Sequence, residues 1–555
     1  MTLTLETPVL RRRGFLAAAS AASTVGLAGC EGPTEINGGF IGQSLLRGHA
    51  LRDALRNHIS AAPAAGATVQ RTRVLIAGGG VAGLAAARAL RLRGVEDFAV
   101  LELEDSAGGN SRGGQVAGIA CPLGAHYLPV PGPAAPDVQN LLEELGLRQR
   151  VAGRWVYDER HLCHSPQERL FFNGAWQDGL LPLQGVGPQT LLQYEKFAAL
   201  VAAAVHSAAF VMPMVNRHLT PEQQAQDAIT FESWLDQQQL TDLHLRWYLD
   251  YCCRDDYGAG AASVSAWAGL HYFASRHGFR APSGGEIGSE AVDDAETSGV
   301  LTWPEGNGWL SQRMAAPLGA RVITGQVVSR IAVEKHHVEV DVLDVAAQRM
   351  QRWQAERCIV ALPLFVAARV LQNPPPALVE AAAQMRYAPW LVANVHLGSA
   401  LDDRPGAAPS WDNVIYDAQA QSESLGYVDA MHQSLRSTPG PTVLTCYRAL
   451  GLDPNRRRAL LEQPWTTWRN TILAELGVPH PDLAAKATRM DIMRYGHAMA
   501  TPVPGLRNSA ALAALREPQP APWQRLQFAH SDLSAYSVFE EAFTHGHRAG
   551  SHTAA

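Results

Sequence analysis

The stretch from residue 74 to residue 102 constrains this chain more than any other. Val74-Leu75-Ile76-Ala77 is a short apolar strand, Gly78-Gly79-Gly80-Val81-Ala82-Gly83 a turn, Leu84 to Leu92 an alanine- and arginine-containing helix, and Phe98-Ala99-Val100-Leu101-Glu102 a second strand. A G-x-G-x-x-G run between a strand and a helix has a specific physical use. Gly78 permits the tight turn, Gly80 lets backbone approach a pyrophosphate, and Gly83 lets helix and strand pack closely. The amides at the helix start, those of Val81 and Ala82 among them, then face two phosphates with the positive end of the helix dipole behind them. Glu102 closes the second strand, placed to accept hydrogen bonds from ribose hydroxyls. A parallel βαβ unit that binds a dinucleotide is therefore expected.

With 555 residues the chain needs more than one hydrophobic core. Charged residues are 18% and apolar residues 47%, the balance of an ordinary globular protein. A net charge of −6 offers nothing to neutralise nucleic-acid phosphates, which excludes that partner. Only three lysines occur: Lys196, Lys335 and Lys486. Residues 136–294 read as mainly helical, with apolar spacing in Val138 to Leu147, Leu191 to Val205 and Ala261 to Ser275. Strands are expected at Arg321 to Thr324, Val338 to Val342, Cys358 to Leu362, Val392 to Leu397 and Thr442 to Tyr447, and the acidic stretch Gly284 to Gly299 as an exposed loop. Phe197 to Val215 is apolar enough to lie on a membrane, but its weakly apolar alanines and Pro213 favour a buried helix.

The N-terminus resembles a twin-arginine signal ending in a lipobox. Arg11-Arg12-Arg13-Gly14-Phe15-Leu16 precedes an apolar run to Leu27, and Leu27-Ala28-Gly29-Cys30 follows. The resemblance implies export by the twin-arginine machinery, a periplasmic location, and a membrane anchor through lipidated Cys30. Residues 31–70 read as a tether with one helical stretch, Gln43 to Ile59. The other six cysteines (Cys121, Cys163, Cys252, Cys253, Cys358, Cys446) are too few for a disulfide framework and are expected mostly as buried thiols. No cysteine or histidine group has zinc spacing, so no metal is assigned.

After Glu102 come Leu103-Glu104-Asp105-Ser106-Ala107-Gly108-Gly109-Asn110-Ser111-Arg112. This resembles the flavin-containing amine oxidase superfamily, with its protoporphyrinogen oxidases and phytoene desaturases, in which V-L-E-A-x-x-x-x-G-G-R follows the second strand. Leu526-Gln527-Phe528-Ala529-His530-Ser531-Asp532 and Glu540-Glu541-Ala542 with Gly546-His547-Arg548-Ala549 look like the family's closing motifs, and Gly325 to Ile331 resembles its V-x-x-I strand. The resemblance implies an α/β two-domain fold: a Rossmann-like FAD domain from residues 71–135, 295–365 and 515–550, and a mixed helical and β-sheet substrate domain from 136–294 and 366–514. It implies noncovalent FAD held by Gly78, Gly80, Val81, Ala82, Gly83, Glu102, Gly108, Gly109, Arg112, Val328 and Asp532.

The chain departs from that pattern where chemistry is done. The strand region Tyr387 to His396 lacks the family's lysine, Asn110 stands where arginine is usual, and His530 replaces a glycine. His497 and His126 are the candidate bases, and Trp390, Tyr127, Tyr495 and Tyr536 the candidate pocket walls; His497, Trp390 and Tyr536 are the residues assigned to catalysis. The expected activity is hydride transfer to FAD from an amine-like or other small organic substrate. A phytoene-desaturase-like desaturase or isomerase, and a flavin-binding assembly module without turnover, are the alternatives.

Overall fold

A computed structural model describes residues 36–42, 45–56, 69–163, 167–207, 209–215, 218–282, 299–417, 422–433 and 438–555. The signal, Cys30, about half of the 31–70 stretch and most of the acidic loop from Gly284 lie outside these residues.

Two large sheets organise the chain. The first has seven strands, in the order 322–323, 98–101, 69–77, 349–360, 338–344 and 326–333, with 526–528 joined to the inner half of 349–360. Val69–Ala77, Phe98–Leu101 and Leu526–Phe528 pair in parallel around Arg349–Val360, as a βαβ unit requires. Helices cover the inner strands on both faces, so Leu75, Ile76, Cys358 and Ile359 are fully buried and the sequence there is continuously apolar. The outer half of Arg349–Val360 continues into an antiparallel pair with Val338–Asp344, where polar residues alternate.

The glycine-loop helix, Val81–Leu92, packs on the C-terminal helix Phe539–Ala554. The approach is close enough that a Cβ on Gly546 would stand 2.0 Å from the Ala82 carbonyl oxygen, and one on Gly550 2.3 Å from that of Ala86. Both glycines are needed for this crossing. The chain end thereby returns to brace the loop near its beginning.

The second sheet has eight strands, in the order 37–40, 487–500, 387–397, 442–449, 424–429, 412–415, 168–172 and 175–178. Its central strand, Tyr387–Leu397, is buried at nearly every position because the sheet is covered on both faces. Helices Pro454–Glu462 and Trp465–Leu476 close one side, where Leu460, Trp468 and Ile472 pack on Leu391 and Val395. On the other, Leu243–Tyr257 and Ala266–Tyr272 help build the largest core.

Three expectations change. Residues 136–294 are less helical than read: they contribute strands Arg148–Val151, Arg154–Tyr157, Glu168–Phe172 and Ala175–Asp178, too short for a pattern to declare itself. The 31–70 stretch is not all tether, because Asn37–Phe40 pairs in parallel with Arg489–Ile492 at the edge of the second sheet. The expected helix at Gln43 to Ile59 runs Leu45–Arg56. The apolar stretch from Phe197 belongs to helix Pro188–His206, which ends well short of Val215 and buries Tyr194, Phe197 and Val201. No helix among the described residues is long and apolar enough to cross a membrane.

Candidate dinucleotide and substrate sites

The glycine loop forms an open cradle. Gly80 is the helix N-cap and carries no side-chain cap, and the first intrahelical bond is Leu84 N–H to the Gly80 carbonyl at 2.9 Å. The amides of Val81, Ala82 and Gly83 precede it and are free for an outside acceptor. Gly78 has φ +104° and no room for a Cβ, which would fall 2.2 Å from the Ala361 carbonyl oxygen. Gly80 differs: a Cβ there would meet nothing nearer than the Gly109 Cα at 3.8 Å. The space over Gly80 is kept clear, and the paired glycines line its far side, with Gly80 bridged to Gly108.

Glu102 fixes the loop. One carboxylate oxygen accepts from Gly79 N–H and the other from Glu104 N–H, both at 2.9 Å. Burial pushes its pKa up, and those two amides pull against that shift. Val328 lies at a bulge in strand Gln326–Val333, whose Gln326 N–H donates to the Glu102 carbonyl at 2.8 Å, and is 6% exposed.

Arg112 supplies the arginine that Asn110 does not. Its side chain is buried beyond the paired glycines; Nη2 donates to Ser106 Oγ at 3.2 Å, while Nε and Nη1 have no protein acceptor. A buried guanidinium with two idle donors, together with an uncapped helix start, calls for a doubly anionic group between them. The residues present therefore fit the diphosphate of FAD. Asn110 donates to the Ala498 carbonyl at 2.6 Å instead and ties the loop to the second sheet. At the chain end, burial opposes the charge of Asp532. His530, the Tyr387 hydroxyl (2.5 Å) and the Leu364 amide (2.9 Å) outweigh it and hold that carboxyl below its usual range.

The segment after the loop docks an aromatic group beside it. Leu123 N–H donates to the Arg112 carbonyl and Ala125 N–H to the Asn110 carbonyl, both at 2.9 Å, which docks Leu123–Tyr127 onto the cofactor segment. Tyr495 donates to the Leu123 carbonyl (2.6 Å) and Tyr447 to that of Gly124 (3.1 Å). His126 stacks on Tyr447 at 4.3 Å between centroids and contacts Trp411 and Tyr127; Trp390 meets Tyr447 edge-on at 6.2 Å. Burial alone drives the His126 pKa down to about 3, so its imidazole is neutral.

The three residues assigned to catalysis stand in different surroundings. Trp390 belongs to this aromatic group. Tyr536 is fully buried among Tyr257, Trp267 and His271, its hydroxyl donating to Glu541 at 2.6 Å. His497 stacks on Phe365 at 4.6 Å, and burial and neighbouring arginines hold its pKa near about 4. No lysine is near either group. Lys486 pairs with Asp402 and Asp482, and Lys196 donates to the Gln238 carbonyl. The fully buried polar residue of the central strand is Asn394, which donates to the Pro122 carbonyl (3.1 Å) and accepts from Thr445 (2.7 Å).

Sequence reading missed Tyr447, Trp411 and three carboxylates beside them: Glu168, Asp255 and Asp412. They come from separate elements with no local motif. The one available signal was an acidic residue opening a short strand that ends apolar, as at Glu168 and Asp412.

The sequence profile described as flavin containing amine oxidoreductase matches residues 81–551. An L-amino acid dehydrogenase of Synechocystis sp. is 26% identical over 310 residues, covering 54% of this chain and 58% of that protein, so little more than half of the relative's length is spanned. A structure of putrescine oxidase bound to putrescine superposes with a TM-score of 0.62 at 19% identity, covering 88% of this chain and 99% of that one. Cyclohexylamine oxidase from Brevibacterium oxydans gives 0.59 at 18% identity, covering 87% and 98%.

Proposed function

The chain belongs to the flavin-containing amine oxidoreductase family, and from that premise we propose that this FAD-dependent oxidoreductase oxidises a small amine by removing hydride from the carbon next to nitrogen. FAD, when bound, supplies the two-electron acceptor. The carbon–hydrogen bond breaks with its electron pair, the substrate leaves as an iminium that water hydrolyses, and oxygen or a quinone takes the electrons onward. The carrying observation is the stapling of Leu123–Tyr127 to Asn110 and Arg112, which holds an aromatic group directly beside the cofactor segment.

This chain's residues bind and orient. Tyr447, Trp390, Trp411 and Tyr127 offer faces that attract an ammonium and exclude water. Neutral His126 adds no competing positive charge. With no lysine present, Asn394 and Thr445 hold the central strand to Pro122, just before Leu123, and so position the aromatic segment. The putrescine oxidase and cyclohexylamine oxidase likenesses in fold support an amine substrate. The test is anaerobic titration of the purified yellow protein with monoamines, diamines and amino acids. Bleaching of the flavin by an amine is expected; a flavin inert to every amine overturns the reading.

The sequence of residues 11–30 further supports export by the twin-arginine route and lipidation at Cys30. Arg12→Lys with Arg13→Lys should retain the precursor in the cytoplasm, and normal export of that variant refutes it.

A further inference from the structure

Glu168, Asp255 and Asp412 converge beside the aromatic group, and none of them forms an ion pair among the described residues; Arg276 acts on Asp255 only from a distance. Asp412 and Glu168 are register partners on adjacent parallel strands, Asp412–Ile415 and Glu168–Phe172, so two like charges stand directly opposite each other. That arrangement costs stability unless something positive lies between. Asp255, on helix Leu243–Tyr257, faces both across the same space, and burial followed by the other carboxylates raises the pKa of Asp412 well above its ordinary value.

The protein gives these groups very little. Asp255 accepts from the Tyr127 hydroxyl at 3.2 Å; Glu168 is met by the Leu180 amide and Asp412 by its neighbour Asn413. Asp412 is enclosed by protein, yet no side-chain donor reaches its carboxylate and none of the three has an ion-pair partner among the described residues. Nearby Arg276 is committed to Asp256 at 2.6 Å and to Glu540. Glu168, Asp255 and Asp412 are each half-buried and keep some accessible surface.

A metal ion is the obvious answer and the geometry does not suit it. Among the described residues no group of three acidic, histidine or cysteine side chains is close enough to hold one. The walls are aromatic instead: Tyr251 and Trp411 are 4% and 5% exposed, Tyr127 meets Trp411 edge-on and His126, and His126 stacks on Tyr447. Spread carboxylates with ring faces between them match an organic ammonium, which takes charge from several directions and packs its methylenes on rings.

Resting on the amine-oxidation reading, we propose that Glu168, Asp255 and Asp412 form a second cation subsite that receives the far ammonium of a diamine or polyamine while the reacting amine lies against Tyr447 and Trp390. A monoamine would leave these carboxylates unpaired, so the subsite selects substrates carrying two or more positive charges.

The experiment is calorimetric titration of the photoreduced, anaerobic holoenzyme, in which no amine turns over. The probes are diaminobutane, diaminohexane and spermidine against butylamine and hexylamine. At least one dication is expected to bind about tenfold or more tightly than the monoamine of equal chain length. The Asp412→Asn, Glu168→Gln double variant should abolish that preference, while its monoamine affinity moves less than about threefold; the Asp412→Asn single variant should fall between. A preference that is absent, or that survives the double variant with its flavin intact, overturns the subsite. Flavin reduction in the oxidised holoenzyme separates the two readings. A carboxylate-dependent preference without reduction by any amine keeps the subsite and sinks the oxidase assignment; reduction by amines with equal affinities does the reverse.

Discussion

The cofactor end and the substrate end of this molecule recognise their ligands by different means. The cradle over Gly80 works mainly through backbone: free amides, a helix start and the absence of side chains. The chamber beyond Leu123 works through side chains carried by six or more separate segments, rings on some and carboxylates on others. A backbone device must be written contiguously, because consecutive amides come only from consecutive residues. A side-chain device needs only that the fold bring distant positions together, and so it can be rebuilt without leaving a motif.

The contrast can be broken most severely at the loop. Gly80→Val puts a branched side chain where the apoprotein is open, so far-ultraviolet dichroism and thermal unfolding should be near normal while FAD affinity falls about 100-fold or more, roughly 3 kcal/mol. Gly83→Val should instead lose the fold, since its Cβ would stand 1.9 Å from the Gly78 carbonyl oxygen. If Gly80→Val binds FAD normally, the cradle has been misplaced. Arg112→Ala comes next. Loss of two buried charged donors should weaken FAD by about 1.5–3 kcal/mol, or about ten- to 100-fold, read by flavin fluorescence on dilution.

At the chamber, acidity is the lever. Burial raises the pKa of Asp255 and of Glu168 to about 7, with Asp256 and Glu168 adding to the shift on Asp255 and Tyr127 and Arg276 opposing it. Folded-state values above unfolded ones mean the native protein holds extra protons, so stability from these groups is lost as pH rises through 7. Two outcomes follow. Asp412→Asn with Glu168→Gln should stabilise the ligand-free protein at pH 8 by about 1–3 kcal/mol, and much less at pH 5, by calorimetric unfolding. Diamine affinity of the unaltered protein should decline below about pH 7, as the carboxylates protonate, while monoamine affinity does not follow the same curve.

The smallest effects separate the catalytic assignments. Tyr536→Phe removes one donor from buried Glu541 and should cost about 1–2 kcal/mol of stability with little change in flavin reduction. His497→Ala, away from the Tyr447 group, should change the reduction rate by less than about twofold. A large loss of reduction rate in either variant would move the reacting centre toward that residue.

What could be read from the chain alone follows the same division. Strand, loop, helix, strand and acid are local, and Gly78 to Glu102 announces its fold and its ligand in one stretch. The paired glycines and Arg112 are legible by resemblance, although the arginine stands two positions from its usual place and only the structure shows its donors turned inward. Glu168 and Asp412 could not be paired from sequence. They lie in short strands, 244 residues apart, whose parallel register depends on the whole second sheet. Tyr536 and Trp390 are both buried aromatics in one core, and nothing local says which of them faces the space beside Tyr447.

If Cys30 carries the proposed lipid, the short strand Asn37–Phe40 sets how far this enzyme can roam. Six residues separate Cys30 from Asn37, where the chain is already paired with Arg489–Ile492. Fully drawn out, that is a leash of about 25 Å at most. With the lipid proposed at Cys30, the second sheet's edge would ride within one bilayer-thickness of the headgroups. Substrates would have to arrive along that crowded, anionic surface, where dications gather and neutral solutes do not.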